Sequence, residues 1–251
     1  MKEQLNLPRT YRAELADTKE KESRIGKPYI SYSQFGSFNP NGNQEFFNIA
    51  VLQYIFGIKK ESRFAAYALF GSATGEYLEN KSKKENELLD QNDKNIMDGL
   101  IEKMPEGGEY EREIWIDRGT YYILGYIDMF IPFEEGEVTV IDFKSGSIAK
   151  KEAEYADMKK YFQTRLYMYY EDAVLGNTPK ECYVLLLDRS GNAMADPPEE
   201  LHLTGEIKRI ETPYKREDVE LFLTEQMDTR AKYIAELKTT YDKLLELTLE
   251  I

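Results

Sequence analysis

Cysteine and histidine are nearly absent, with one of each in 251 residues. The single cysteine, Cys182, excludes an intramolecular disulfide. It also excludes a cysteine-ligated iron–sulfur cluster or structural zinc site within one chain. No apolar run approaches the ~20 residues of a membrane span. The opening residues, Met1-Lys2-Glu3-Gln4, carry no signal-peptide core. The expectation is a cytoplasmic protein with no membrane partner. Positive charge is in deficit: 33 Lys and Arg face 46 Asp and Glu, a net charge of −13. That argues against sequence-blind electrostatic binding of nucleic acid over the whole surface. It leaves room for a local basic groove. Plain solubility accounts for the acidity, and so does a carboxylate metal site.

Apolar residues are plentiful. Hydrophobic types make up 41% of the chain and aromatics 13%, with 19 Tyr, so a sizeable core is available and disorder is not the default. The length fits one large domain, or one domain with additions.

The informative stretch is Tyr121 to Lys144. Two runs rich in β-branched and aromatic residues, 121–131 and 137–144, flank an acidic turn, Pro132-Phe133-Glu134-Glu135-Gly136. With the alternating 111–117 they predict a three-strand antiparallel meander. Asp128, Asp142 and Lys144 sit where a buried sheet should hold no charge. Asp142 and Lys144 are two apart and share a strand face. A buried ion pair or a solvated sheet edge explains that pair alone. Asp128 adds a second carboxylate. Two carboxylates ~4 Å apart at an effective dielectric of roughly 20 repel by on the order of 4 kcal/mol. Either a cation sits between them or one takes up a proton. Oxygen ligands suit a hard divalent ion such as Mg²⁺ or Mn²⁺.

Around this stretch the chain reads as follows. Residues 1–28 form a polar arm. Ser33 is a candidate helix N-cap ahead of a Gly, Asn and Pro loop. Helices are predicted over 44–58 and onward from Phe64, where Gly71 and Gly75, four apart, make a smooth face that another backbone or a ligand can approach. Residues 81–94 read as a solvated charged run. A helix is predicted from Glu152 to Leu175, stopped by Gly176-Asn177 with Pro179 beyond; Gln163 and Tyr167 share one of its faces. Cys182–Leu187 reads as a strand buried on both sides, followed by a turn over 188–192 and a weaker strand over 201–211. From Lys215 to Ile251 an amphipathic helix packs on the core or forms a coiled-coil-like seam.

Three motifs now stand in order: Gly125-Tyr126-Ile127-Asp128, Asp142-Phe143-Lys144 and Gln163-Thr164-Arg165-Leu166-Tyr167. They resemble the G-x-x-D, D/E-x-K and Q-x-x-x-Y patterns of PD-(D/E)XK nucleases, specifically the RecB-like branch. Gly71-Ser72-Ala73-Thr74-Gly75-Glu76 resembles that branch's first helix motif, and Ile30-Ser31-Tyr32-Ser33 its opening segment. The resemblance covers most of residues 29–190. It implies an α/β (α+β) fold with a restriction-endonuclease-like core: a central mixed sheet flanked by helices, here with a long C-terminal helix. The implied organisation is an arm (1–28), a nuclease core (29–212) and a helix packed on that core (213–251).

The resemblance also implies the chemistry. Asp128 and Asp142 bind one or two Mg²⁺ or Mn²⁺ ions with the backbone carbonyl of Phe143, and Lys144 aligns the attacking water. Gln163, Tyr167 and Arg165 contact DNA, although helix side chains bonded at the core edge explain the first two as well. The branch's usual first-motif histidine falls at Gly75 here. Glu76 is the substitute acidic ligand, against the alternative of a solvent-facing helix glutamate. Some members carry an iron–sulfur cluster, which this chain cannot. The implied function is a metal-dependent DNA exonuclease or end-processing enzyme in recombination, repair or phage DNA metabolism. It would act on single strands or duplex ends, with a recombination or replication protein as a candidate partner and a homo-oligomer left open. The alternative is a catalytically weak nuclease fold that binds DNA or a protein.

Overall fold

The computed structural model describes residues 26–39, 42–56, 65–79, 88–157 and 160–249. The arm expected over 1–28 therefore lies almost wholly outside the described residues, as does the first half of the charged run, 81–87. Six strands form one mixed sheet: β1 (Tyr29–Ser31), β2 (Glu109–Asp117), β3 (Tyr122–Pro132), β4 (Glu137–Gly146), β5 (Thr178–Ser190) and β6 (His202–Glu211). Their order is β1-β3-β4-β5-β6, with β2 also paired to β3. β1 runs parallel to β3, β3 antiparallel to β4, β4 parallel to β5 and β5 antiparallel to β6. This is the expected restriction-endonuclease-like α/β architecture, including the meander and both later strands.

The helices are α1 (Tyr32–Ser37), α2 (Gln44–Ala50), α3 (Ala65–Glu79), α4 (Gln91–Ile101), α5 (Ile148–Ala156), α6 (Gln163–Tyr169), α7 (Arg216–Phe222) and α8 (Asp228–Leu249). Wide π turns extend α2 and α6 and join α7 to α8. Two compact units emerge. One comprises 1–62, 115–124 and 221–251, the other 63–114 and 125–220.

In the first unit, α8 packs on the early helices through aromatic pairs, Phe47 with Tyr233 and Phe56 with Tyr241. The Asp228 carboxylate accepts from Arg118 Nε (3.0 Å), Arg118 Nη2 (2.5 Å) and the Tyr121 hydroxyl (2.7 Å). Ser31, not Ser33, caps α1. Its hydroxyl accepts from Gln34 N–H while the Gln34 side chain accepts from Ser31 N–H. That reciprocal pair satisfies two otherwise orphaned donors, which a cap two residues later could not match here.

The second unit carries the motif residues. Phe70, Leu78, Met97, Ile141, Phe143 and Leu185 pack between α3, α4 and one face of the sheet. A smaller cluster, including Ile148, Tyr161, Val184 and Leu186, covers the opposite face. Val138 through Phe143 are all buried, as a central strand covered on both faces requires.

Two helices depart from the sequence reading. α4 was not foreseen, because its first turn reads as charge. Asp90 and Asp93 form its capping box, and Asp93 also accepts from Leu203 N–H at 2.7 Å. The helix expected over 152–175 is interrupted between Ala156 and Gln163. The interruption turns Tyr161 inward, where its ring meets Tyr155 edge-on at 5.0 Å and its hydroxyl reaches the sheet.

Candidate active site

The site forms where the β3–β4 ladder stops. Pairing runs from Pro132↔Val138 to Met129↔Ile141 and goes no further. Just beyond, the N–H of Phe143, two residues past Ile141, is taken by the carboxylate of Asp128, one residue before Met129, at 2.7 Å instead of by a strand carbonyl. A side chain thus replaces a ladder rung, and the carboxylate of β3 is fixed beside β4. β4 has Ile141 and Phe143 on the α3/α4 face, so Asp142 and Lys144 share the other.

Asp142 is fully buried. Its Oδ2 accepts from the Tyr161 hydroxyl at 2.8 Å and pairs with Lys144 Nζ. Its Oδ1 is buried with no hydrogen-bond partner among the described residues. A buried carboxylate oxygen left bare costs ~1–3 kcal/mol or more, so the sequence maintains an acceptor the protein does not itself satisfy. Burial, and then the Asp142 charge, push the Asp128 carboxyl well above its usual range; Lys144 and the Phe143 N–H oppose the shift and Glu79 adds to it. Burial works against the Lys144 ammonium, but Asp142 and Asp128 outweigh it and hold its pKa above the ordinary value. Lys144 Nζ also lies 3.4 Å from the Phe143 carbonyl oxygen.

The α3 glutamate that comes near the Asp128 carboxylate is Glu79, while Glu76 is not part of that group. Glu76 is exposed, whereas Glu79, three residues on, offers an oxygen within 4.8 Å of oxygens from Asp128 and Glu111. Three residues bring the helix round to within ~60°, so the two glutamates lie near one face, and it is burial and proximity to Asp128 that set Glu79 apart. Glu79 Oε1 lies 3.6 Å from where a Cβ on Gly75 would be. It therefore occupies the space beside the position where the resembled branch places histidine. Glu111 is a residue the sequence reading missed. It stands on β2 with φ of 53°, in the left-handed region that non-glycine residues seldom adopt. An outlier of that kind has no signal in sequence.

Gln163 and Tyr167 do share a face of α6. Gln163 Nε2 donates to the Tyr167 hydroxyl at 2.7 Å. Tyr167 is 3% exposed, and a Cβ on Gly125 would lie 2.7 Å from its ring. The glycine of the first strand motif is there to admit this ring. Burial, then Asp142 and Asp128, push the Tyr167 phenol well above its usual range; Gln163 and the Tyr126 N–H oppose this. A DNA contact by Tyr167 is not what this burial supports: the ring packs under the site and fixes it. Arg165 must also be withdrawn as a DNA contact. It is fully buried, with Nε donating to the Pro213 carbonyl at 3.0 Å and Nη1 to the Tyr161 carbonyl. It fastens α6 to the segment after β6.

His202 belongs to a separate group with Asp90 and Asp93. Its Nδ1 lies 3.3 Å from Asp90 Oδ2. Asp93 there is already engaged by backbone N–H groups of Asp90 and Leu203, the ordinary work of a helix cap.

The sequence profile of the PD-(D/E)XK nuclease superfamily matches residues 76–247, well over half of the chain. The protein belongs to that superfamily. Among curated protein sequences none matches the chain. Among solved structures it is similar to LHK-Exo in complex with dAMP, at 14% identity and a TM-score of 0.42, over 91% of this chain and 96% of that one. Among the described residues no helix is long and apolar enough to cross a membrane.

Proposed function

We propose that the protein is a divalent-metal-dependent deoxyribonuclease of the RecB-like branch, hydrolysing phosphodiester bonds at DNA ends. The bare Oδ1 of Asp142 carries this reading. It is an acceptor buried beside a second carboxylate, in a site whose donors are all oxygen. Such a set suits Mg²⁺ or Mn²⁺. Asp128, Asp142, Glu79 and Glu111, with the Phe143 carbonyl, are the residues that would hold the ion. When bound, the ion supplies Lewis-acid stabilisation of charge on the scissile phosphate and on the departing oxygen.

The remaining work belongs to this chain. The Tyr161 hydroxyl and Lys144 hold Asp142 by one oxygen, which leaves the other presented. The Phe143 N–H fixes Asp128. Lys144, a cation beside two carboxylates, acts as a donor that orients water or a phosphate oxygen and not as a base. Water adds to phosphorus, one P–O bond breaks, and the departing oxygen takes a proton. Gln163, partly exposed above the buried Tyr167, is the remaining candidate of the third motif for a nucleic-acid contact.

The second reading, an inactive nuclease-fold module, draws on Gly75 in place of histidine. Glu79 in the adjoining space weighs against it. The test is incubation with end-labelled single- and double-stranded linear DNA and with closed circles, in Mg²⁺, Mn²⁺ or EDTA. Metal-dependent loss of linear DNA by the parent and not by Lys144→Ala, with circles spared, is the expected result. Nicked circles would make it an endonuclease. Absence of cleavage in every condition would favour the inactive module.

A further inference from the structure

Among the described residues Arg189 is a cation without an acid partner, standing near the end of β5. Its guanidinium lies over the Tyr67 ring, 4.4 Å from the centroid. Among the described residues no carboxylate pairs with it or contributes to its electrostatics. Its chain neighbour Asp188 is spoken for: one oxygen accepts from Ile148 N–H at 2.9 Å and the other from the Thr204 hydroxyl at 2.9 Å. In a chain of net charge −13 this isolation is unusual, since other cations of the unit, such as Arg112, Arg209 and Arg216, stand against carboxylates. A half-buried guanidinium needs a counter-charge or good hydrogen-bond acceptors.

Its position is fixed from both sides. The Tyr67 hydroxyl donates to Asn192 Oδ1 at 2.8 Å. Asn192 is itself held, since its carbonyl accepts from Ala195 and Glu199 N–H groups at 3.0 Å each. The register of β4 and β5 sets Lys144 opposite Leu186 and Gly146 opposite Asp188, so Arg189 of β5 lies one residue past the level at which the strand bearing Lys144 ends. Tyr155 links the two electrostatically: burial pushes its phenol up to about 12, Lys144 and Arg189 oppose this, and Asp142 adds to it. Next to Lys144 on β4, Ser145 Oγ lies 3.5 Å from where a Cβ on Gly71 would be, on the smooth glycine face of α3.

We infer that Arg189, braced by Tyr67, is an anion subsite that takes a backbone phosphate of the nucleic-acid strand flanking the bond cut at Lys144. This rests on the nuclease reading above. Planar guanidinium groups match phosphate oxygens two at a time, and a stacked guanidinium is already oriented to do so.

The test is equilibrium binding of fluorescein-labelled single- and double-stranded oligonucleotides in Ca²⁺ across a KCl series, for the parent, Arg189→Gln, Arg189→Lys and Tyr67→Leu. Arg189→Gln is expected to weaken binding about tenfold, and to lower the slope of log K against log salt by roughly 0.7 to 0.9, the loss of one phosphate contact. Arg189→Lys should recover the slope but only part of the affinity, and Tyr67→Leu should weaken binding at an unchanged slope. In turnover assays Arg189→Gln should raise KM more than it lowers kcat. A merely structural Arg189 would lower Tm and leave the salt slope alone, which would overturn the assignment. Equal binding by parent and Arg189→Gln would overturn it too, with the nuclease reading intact. A parent that binds neither oligonucleotide would overturn both.

Discussion

Replacing Glu111 with glycine separates two loads that this residue places on the fold. The first is conformational: at φ of 53° a non-glycine residue costs ~1–2 kcal/mol. Glycine removes that cost and loses ~0.5–1 kcal/mol of it again through a freer unfolded chain. The second load is electrostatic. Glu111, Glu79 and Asp128 bring oxygens within 4.8 Å of one another. Glu111 is exposed, so a water-like dielectric applies, and one such pair repels by ~0.9 kcal/mol. Together the two terms make Glu111→Gly more stable than the parent by about 1–2 kcal/mol in EDTA, or roughly 3–6 °C in Tm for a domain of this size. Glu111→Gln keeps the strained backbone and sheds the charge, so it should recover only the electrostatic part. Added Mn²⁺ should reverse the order, because a ligand stabilises whichever protein binds it more tightly. The assay is thermal unfolding with and without Mn²⁺. The reasoning fails if Glu111→Gly is less stable than the parent in EDTA, or if all three proteins gain equally from the metal.

Other substitutions probe neighbouring claims. Glu79→Gln should shift the Mn²⁺-dependent rise in Tm to at least tenfold higher metal, while Glu76→Gln should not; the reverse order would restore the exposed glutamate as the ligand. Gly125→Ala places a Cβ 2.7 Å from the Tyr167 ring and 3.2 Å from Ile114, an overpacking that should cost ~1–3 kcal/mol in urea unfolding. Adding Tyr167→Leu should recover most of that loss, and additive losses would show that the ring is not what the glycine admits. The Arg216 and Tyr214 side chains hold the Asp172 carboxyl below its usual range, with burial opposing them. Its stabilisation is therefore present above the unfolded carboxyl value of ~3.9 and disappears as pH falls through the lower folded value. The Tm gap between parent and Asp172→Asn should be widest near neutral pH and should narrow as pH falls below about 4; a gap that does not narrow in acid would contradict the assignment.

The strands were legible because their signal is local. β-branched runs, turn residues and the odd placement of Asp128, Asp142 and Lys144 need no partner to be read. Helix surfaces were harder. Glu76 and Glu79 are equally acidic and equally near the glycine motif, and only the packing of α3 through Phe70, Ala73 and Tyr77 decides which of them faces the site. Arg165 has the composition of a phosphate contact, yet it points into the protein because two backbone carbonyls needed a donor. The break before α6 escaped periodicity, since apolar residues keep their helical spacing across it. Tyr161 leaves that pattern for a hydrogen bond to Asp142 made 19 residues away in the chain. Glu111 left no trace, because backbone dihedral angles are not written in residue types.

The rung contributed by Asp128 makes the chemistry a sentinel for the pairing of the strands. A slip of one residue would turn Asp142 and Lys144 toward Phe70, Leu78 and Met97, and would bring Ile141 and Phe143 round to the opposite face. Charges would then lie in hydrocarbon without Tyr161 or the Phe143 N–H to hold them. A chain that has folded into this sheet at all has thereby put its reactive groups in place, so the quality control of the fold and the assembly of the site are a single event.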